Sequence, residues 1–325
     1  MQLRPTLLKK LPLVLLCATF AAFGARAEKV TVDAAIPAYK AVSGISGNLN
    51  SIGSDTLNNL MTLWAEGFKK QYPNVNVQIE GKGSATAPPA LIEGTAQLGP
   101  MSRAMKQDEL DKFEKKFGYK PVEIKVAIDA LAVFVHKDNP LKGLTMQQVD
   151  GIFSSTFKAG GKDIAQWGDA GLSAWSGKSI SIYGRNSASG TYGFFKEHAL
   201  SKGDFKATVK EQPGSSAVVQ GVGSDVLGIG YSGMGYLTSG VKAVPLAAKA
   251  GAAFTDANYA NCLSGDYPMA RFLYIYVNQK PNTPMDKLTG EFLKFVVSKS
   301  GQEIVVKDGY YPITPEIAKE LKIGK

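Results

Sequence analysis

Gly184-Arg185-Asn186-Ser187-Ala188-Ser189-Gly190-Thr191 is the stretch on which the reading of the fold turns. The alternating run Ser179-Ile180-Ser181-Ile182-Tyr183 precedes it and predicts a strand. Tyr192-Gly193-Phe194-Phe195-Lys196-Glu197-His198-Ala199-Leu200 follows and predicts a helix whose first turn is led by hydroxyls and a glycine. A helix start carries unpaired backbone N–H groups and a partial positive charge. Glycine admits an anion close to the backbone, Ser and Thr add donors, and Arg185 adds a planar cation at the strand end. That combination suits a small oxyanion. Taken alone, however, the turn reads first as an ordinary capped surface helix, since caps are far commoner than anion sites.

Repetition changes the balance. Gly53-Ser54-Asp55-Thr56 precedes a helical pattern in which Leu57, Leu60, Met61, Trp64 and Phe68 share one face. Gly83-Ser84-Ala85-Thr86 precedes Ala87-Pro88-Pro89-Ala90-Leu91-Ile92, with proline where a first helical turn tolerates it. Each follows a strand pattern, Leu49 to Ile52 and Val75 to Ile79. Three strand–turn–helix units can aim three sets of N–H donors at one point. Helices lying between strands argue for an α/β fold with parallel pairs.

Outward from these turns, the first 27 residues read as a cleaved signal peptide. Arg4, Lys9 and Lys10 are basic, Leu11 to Phe23 is apolar, and Ala25-Arg26-Ala27 fits a cleavage site, which makes Glu28 the mature start. The apolar run is too short to span a membrane. Cleavage leaves 298 of 325 residues, enough for two lobes, and the four leader cations take the net charge from +9 to +5. Lys and Arg are scattered among acids, as in Lys106 to Lys120, without the stripe and interleaved aromatics of a nucleic-acid face. A modest positive field favours anions. Only Cys262 survives cleavage, so no intramolecular disulfide is expected, and with His136 and His198 distant from it a His/Cys metal site is not.

A fourth polar turn, Gly99-Pro100-Met101-Ser102-Arg103, leads into a charged helix from Lys106 to Phe117. Val122 to Val135, with its run Ala130-Leu131-Ala132-Val133-Phe134-Val135, suits a strand buried on both faces. His136-Lys137-Asp138-Asn139-Pro140 breaks the pattern, and a lobe crossing is expected there. Thr145 to Gln148 fits a capping box. Arg271 to Val277 predicts the strand of the second crossing, and a helix from Lys287 to Ser298 follows. Gly228 to Gly233 formally matches G-x-G-x-x-G, but no helix follows it, so no nucleotide site is read. No G-x-S-x-G elbow, clustered carboxylate set or His-based triad supports a hydrolase, and no catalytic residue, metal or cofactor is assigned.

The four turns, in this order and spacing, resemble the periplasmic phosphate-binding proteins of Pst-type ABC transporters, and most closely the pseudomonad-type members. Trp167-Gly168-Asp169, Gly228-Ile229-Gly230-Tyr231 and Gly309-Tyr310-Tyr311-Pro312 support the likeness, which covers essentially the whole mature chain. Arg185 with Ser189-Gly190-Thr191 is its most specific part. The resemblance implies a two-lobe periplasmic binding protein fold (type II) with two hinge strands, lobe 1 comprising 28–135 and 271–325 and lobe 2 comprising 136–270. It implies a periplasmic, non-enzymatic binder of inorganic phosphate that delivers its ligand to an inner-membrane ABC permease, and a monomer is expected. Carried over, Arg185, Ser189, Gly190 and Thr191 hold the anion from lobe 2, and Asp55, Thr56 and Ser84 hold it from lobe 1. Two positions depart from the pattern. The fourth turn has Ser102, followed by Arg103, where the family places an aspartate, and Ser187 stands where an aspartate would pair with the arginine. Asp55 is then either the carboxylate that accepts the proton of phosphate or a helix cap. Arg103 either enters the cleft, the reading preferred, or pairs with Glu109 or Asp108. Sulfate and arsenate remain alternative ligands, and a secreted phosphoesterase is the remoter rival.

Overall fold

The computed structural model describes residues 30–320, so the leader, the cleavage site after Ala27 and the last five residues lie outside the described residues. In chain order the elements are β1 (Gly47–Ile52), α1 (Asn58–Gln71), β2 (Val75–Glu80), α2 (Ala87–Glu93), β3 (Gly99–Met101), α3 (Gln107–Phe117), β4 (Val122–His136), β5 (Leu144–Thr145), α4 (Met146–Phe153), β6 (Ser181–Arg185), α5 (Gly190–His198), β7 (Lys210–Gln212), α6 (Ser215–Gly223), β8 (Gly228–Gly233), β9 (Val241–Ala243), β10 (Leu246–Ala247), α7 (Tyr259–Ser264), β11 (Ala270–Val277), α8 (Lys287–Val297), α9 (Lys299–Lys307) and α10 (Pro315–Glu320).

Strand β4 is the spine. Its first part, Val122 to Ala130, pairs antiparallel with β11, and its last part, Leu131 to Val135, pairs antiparallel with β8. The change of partner thus falls within the strand, upstream of the 135/136 boundary read from the sequence. The sheet runs β3-β11-β4-β8-β6-β7, with β9 beside the end of β4. The β6–β8 and β6–β7 pairs are parallel, as is the separate β1–β2 pair, which suits strands connected through helices.

Among the described residues, the two largest of four hydrophobic clusters lie on this spine. In the first, Leu60, Met61, Trp64 and Phe68 of α1 meet Phe292, Leu293 and Val296 of α8, together with Val126 of β4 and Ile275 of β11. The i, i+4, i+8 spacing of Leu60, Trp64 and Phe68 puts one face of α1 entirely inside. Each such side chain contributes on the order of 1.5–3 kcal/mol by leaving water. In the second core, Leu131, Val133 and Val135 of β4 pack with Ile152, Phe153, Trp167, Phe195 and Tyr231. The rings of Phe195 and Tyr231 stack at 4.0 Å. The capping box read at Thr145 is present, with Gln148 N–H donating to Thr145 Oγ1 and Thr145 N–H donating to Gln148 Oε1. Cys262 is a free buried thiol.

Candidate functional site: converging helix-starting turns between the two cores

Each turn that follows a parallel strand ends in a tight helical start. Asp55–Leu57 and Ser84–Thr86 are single 3₁₀ turns that feed α1 and α2, and Ser189 caps α5 by accepting from Tyr192 N–H at 3.3 Å. Gly190 and Thr191 supply the first two amides of α5, before any i→i−4 bond is possible. These starts meet. Thr56 Oγ1 lies 2.7 Å from Thr191 Oγ1 across 135 residues of sequence. Ser84 Oγ accepts from Ser102 N–H at 3.0 Å and lies 3.3 Å from Ser102 Oγ, and Ser54 Oγ donates to Ser102 Oγ at 3.0 Å. A Cβ on Gly190 would collide with the hydroxyls of Ser84 and Ser102, so only glycine allows this approach. Gly83, at φ +122°, faces the Ala188 carbonyl, which accepts from Ala85 N–H at 3.1 Å. The turns after β1, β2 and β6, with the end of β3, therefore meet at one place.

Charge enters through two arginines, each tied to a carboxylate. Arg185 is buried at the end of β6, with Nη1 2.8 Å from Ser215 Oγ and 3.1 Å from Asp55 Oδ2. Asp55 Oδ2 also accepts from Ser215 N–H at 2.8 Å. Asp55 is thus not the side-chain cap of its helix but the counter-ion of Arg185, reached from the other side of the cleft. Burial pulls the Arg185 pKa down, and the Asp55 charge opposes that shift. The Arg185 Nε–H is buried with no partner among the described residues. An unpaired buried donor costs about 1–3 kcal/mol.

Arg271, at the start of β11, is directly cross-strand from Asp129 of β4. Its Nε and Nη2 donate to Asp129 Oδ2 at 2.9 and 2.8 Å, its Nη1 to the Ser102 carbonyl at 2.9 Å, and its Nη2 also to Thr191 Oγ1 at 3.1 Å. Neither Arg271 nor Asp129 was assigned a role from the sequence, nor were Ser54 and Ser215. For Arg271 and Asp129 the signal is a charge set beside each of two apolar strand patterns, Ala130 to Val135 and Phe272 to Val277. Behind the turns, Tyr236 and Tyr310 donate to the carbonyls of Asp55 and Thr56 at 2.9 and 2.8 Å. Burial raises the pKa of both phenols, which keeps them donors.

Of the expected site residues, the structure brings together Asp55, Thr56, Ser84, Ser102, Arg185, Ser189, Gly190 and Thr191. Arg103 is held differently. Glu109 grips its guanidinium bidentately at 2.7 Å on both arms, while its stem packs against Gly193 of α5. Its charge is met by Glu109, yet the side chain is buried and lines a cavity with Ser189, Gly193 and Arg271, so the ion pair and the cleft-facing position occur together. Among the described residues no group of three or more His, Cys, Asp or Glu side chains is placed to hold a metal ion.

A family model described as a PBP superfamily domain matches residues 39–300. The phosphate-binding protein PstS of Pseudomonas aeruginosa is 58% identical over 315 residues, covering 96% of this chain and 98% of that one. The PstS of Staphylococcus epidermidis is 29% identical over 84% of this chain and 80% of its own length. Among solved structures, a phosphate ABC transporter substrate-binding protein of Clostridium perfringens with bound phosphate superposes with a TM-score of 0.70 at 24% identity, over 82% of this chain and all of that one. A phosphate transport receptor of Vibrio cholerae gives 0.64, also at 24% identity and over the same shares. The chain belongs to the PBP superfamily and, within it, to the family of the PstS proteins.

Proposed function

We propose that this chain reversibly captures inorganic phosphate between two lobes and delivers it to the inner-membrane permease of an ABC transporter. The observation that carries the reading is the 2.7 Å contact between Thr56 and Thr191 beside the buried Arg185. Hydroxyls, helix-start amides and a guanidinium from both sides of a cleft converge on one place, as the capture of a single small tetrahedral ion requires. Asp55, Thr56, Ser84 and Ser102 serve as the ligands of lobe 1, and Arg185, Ser189, Gly190 and Thr191 as those of lobe 2. Arg103 closes the rim. Lobe 1 comprises 28–130 with 271–325 and lobe 2 comprises 131–270, the division expected at 135/136 lying instead where β4 changes partner. Support comes from the two separate cores and from the name of the Pseudomonas aeruginosa relative.

No bond to the ligand is made or broken. Binding exchanges the anion's hydration for charge-assisted bonds in a site held rigid by its own backbone. Because each arginine is paired with a carboxylate, the protein presents donors with little net charge, and the anion is held by hydrogen bonds rather than by a cluster of cations. The protein acts as an exported monomer in the periplasm after cleavage at Ala27. Arsenate, nearly isosteric with phosphate, is the competing ligand.

The test is a thermal-shift and calorimetric screen of phosphate, arsenate, sulfate and molybdate. At a hundredfold excess over Kd, phosphate adds about 2.7 kcal/mol to the folded state and raises Tm by several degrees. Equal shifts for sulfate and phosphate, or none for phosphate, overturn the reading.

A further inference from the structure

We propose that Arg271 is a positioning residue of the anion site, which acts by fixing the Thr191 hydroxyl as a donor and by tying that hydroxyl to the crossing strands. The inference rests on the phosphate reading above and goes beyond it.

The guanidinium lies where four segments meet. It is anchored on Asp129 of the crossing strand β4, it holds the Ser102 carbonyl on one side of the cleft, and it reaches Thr191 on the other. Asp129 is itself fixed, because its second oxygen accepts from Met234 N–H at 3.0 Å. The Arg271 side chain is almost fully buried, and the ring of Phe194 lies 5.4 Å beneath its guanidinium carbon. Its orientation is therefore set before any ligand arrives.

The consequence for Thr191 follows from valence. Arg271 has donors only, so the Thr191 oxygen must accept from it. The single Thr191 proton is then turned away from Arg271, and is left for Thr56 or, when Thr56 is itself the donor of that pair, for an anion. Without Arg271 the hydroxyl is free to rotate and to accept instead of donate, which for an anion is the wrong polarity. Charge alone does not explain the placement, because Asp129 already neutralises the guanidinium. A lysine at this position would keep the ion pair with Asp129, but a point-like ammonium lacks the planar fork that spans Asp129, Ser102 and Thr191 together.

The proposal predicts coupling between two positions rather than a general loss. Phosphate Kd is measured by calorimetry for wild type, Arg271→Lys, Thr191→Val and the double variant. Arg271→Lys is expected to weaken binding by about tenfold when Thr191 is present and by less than about twofold when Val replaces it. Equal fold-losses in both backgrounds, or no loss in either, overturn it, since a merely structural arginine would weaken both alike. Should Arg271→Lys not fold, Asp129→Asn takes its place in the same cycle, because it loosens the guanidinium without removing it. Wild-type binding is the control: its absence would defeat the phosphate reading itself, whereas binding with an additive cycle defeats only this inference.

Discussion

Asp55 and Arg185 meet across the cleft at 3.1 Å, and that one contact changes what an aspartate in a helix-starting turn means. An aspartate at such a position is ordinarily a cap. Here Ser54 occupies the cap position but turns its hydroxyl to Ser102 rather than to the helix, and the Asp55 carboxylate faces the other half of the molecule. Replacing it with asparagine keeps the shape and removes the charge. The pocket then carries an uncompensated Arg185, which favours a fully ionised anion over one that still bears a proton. Asp55→Asn is expected to cut the phosphate-over-sulfate preference by about tenfold or more, read from the two Kd values by competition calorimetry. An unchanged ratio removes Asp55 from selectivity. Arg185 itself was legible in the sequence, because it ends a strand and stands just before Ser189-Gly190-Thr191. Arg271 was not. A charge near the start of an apolar strand has the same local pattern whether it ends in solvent or in a buried pair, and its partner Asp129 lies 142 residues earlier.

At the level of elements, strand and helix patterns carried most of the reading. The spacing of Leu57, Leu60, Met61, Trp64 and Phe68 announced α1, and all five are buried. The run from Val122 to Val135 announced β4, but not its change of partner between Ala130 and Leu131. A strand buried on both faces is apolar throughout, so nothing in its composition marks where one neighbour gives way to another. The glycine that opens α5 is the element-scale weak point. A methyl group on Gly190 would press on the hydroxyls of Ser84 and Ser102, which belong to the opposite side of the cleft. Alanine suits a helix start, so the open form of Gly190→Ala should fold with a Tm within a few degrees of wild type. Its closed form is blocked. Phosphate affinity is expected to fall by about a hundredfold or more, and the phosphate-induced rise in Tm to vanish, in a thermal-shift titration.

Across the whole molecule, the two halves are joined by β4 and β11 and meet again where the chain returns after α9. There Gly235, beyond the end of β8, packs on Tyr310 and on the backbone of Asp308, while Tyr310 holds the Thr56 carbonyl of the anion site. The Asp308 carboxylate accepts from the Asn59 side-chain amide, and burial pushes its pKa up to about 6. A carboxyl raised in the folded state binds its proton more tightly there than in the unfolded chain, where it titrates near 3.9. Between about pH 4 and pH 6 the folded protein therefore holds more protons, and this group's contribution to stability falls as pH rises through that window, then stays level. Partial solvent screening limits the effect to about 1 kcal/mol. Asp308→Asn removes the titrating group while keeping a hydrogen-bonding side chain. Subtracting its Tm-against-pH curve from that of wild type, measured from pH 4 to pH 7, should leave a difference that moves against wild type up to about pH 6 and is flat beyond. A difference curve without slope in that window would mean that Asp308 titrates as an ordinary surface carboxylate and that the seam between the halves is indifferent to its charge.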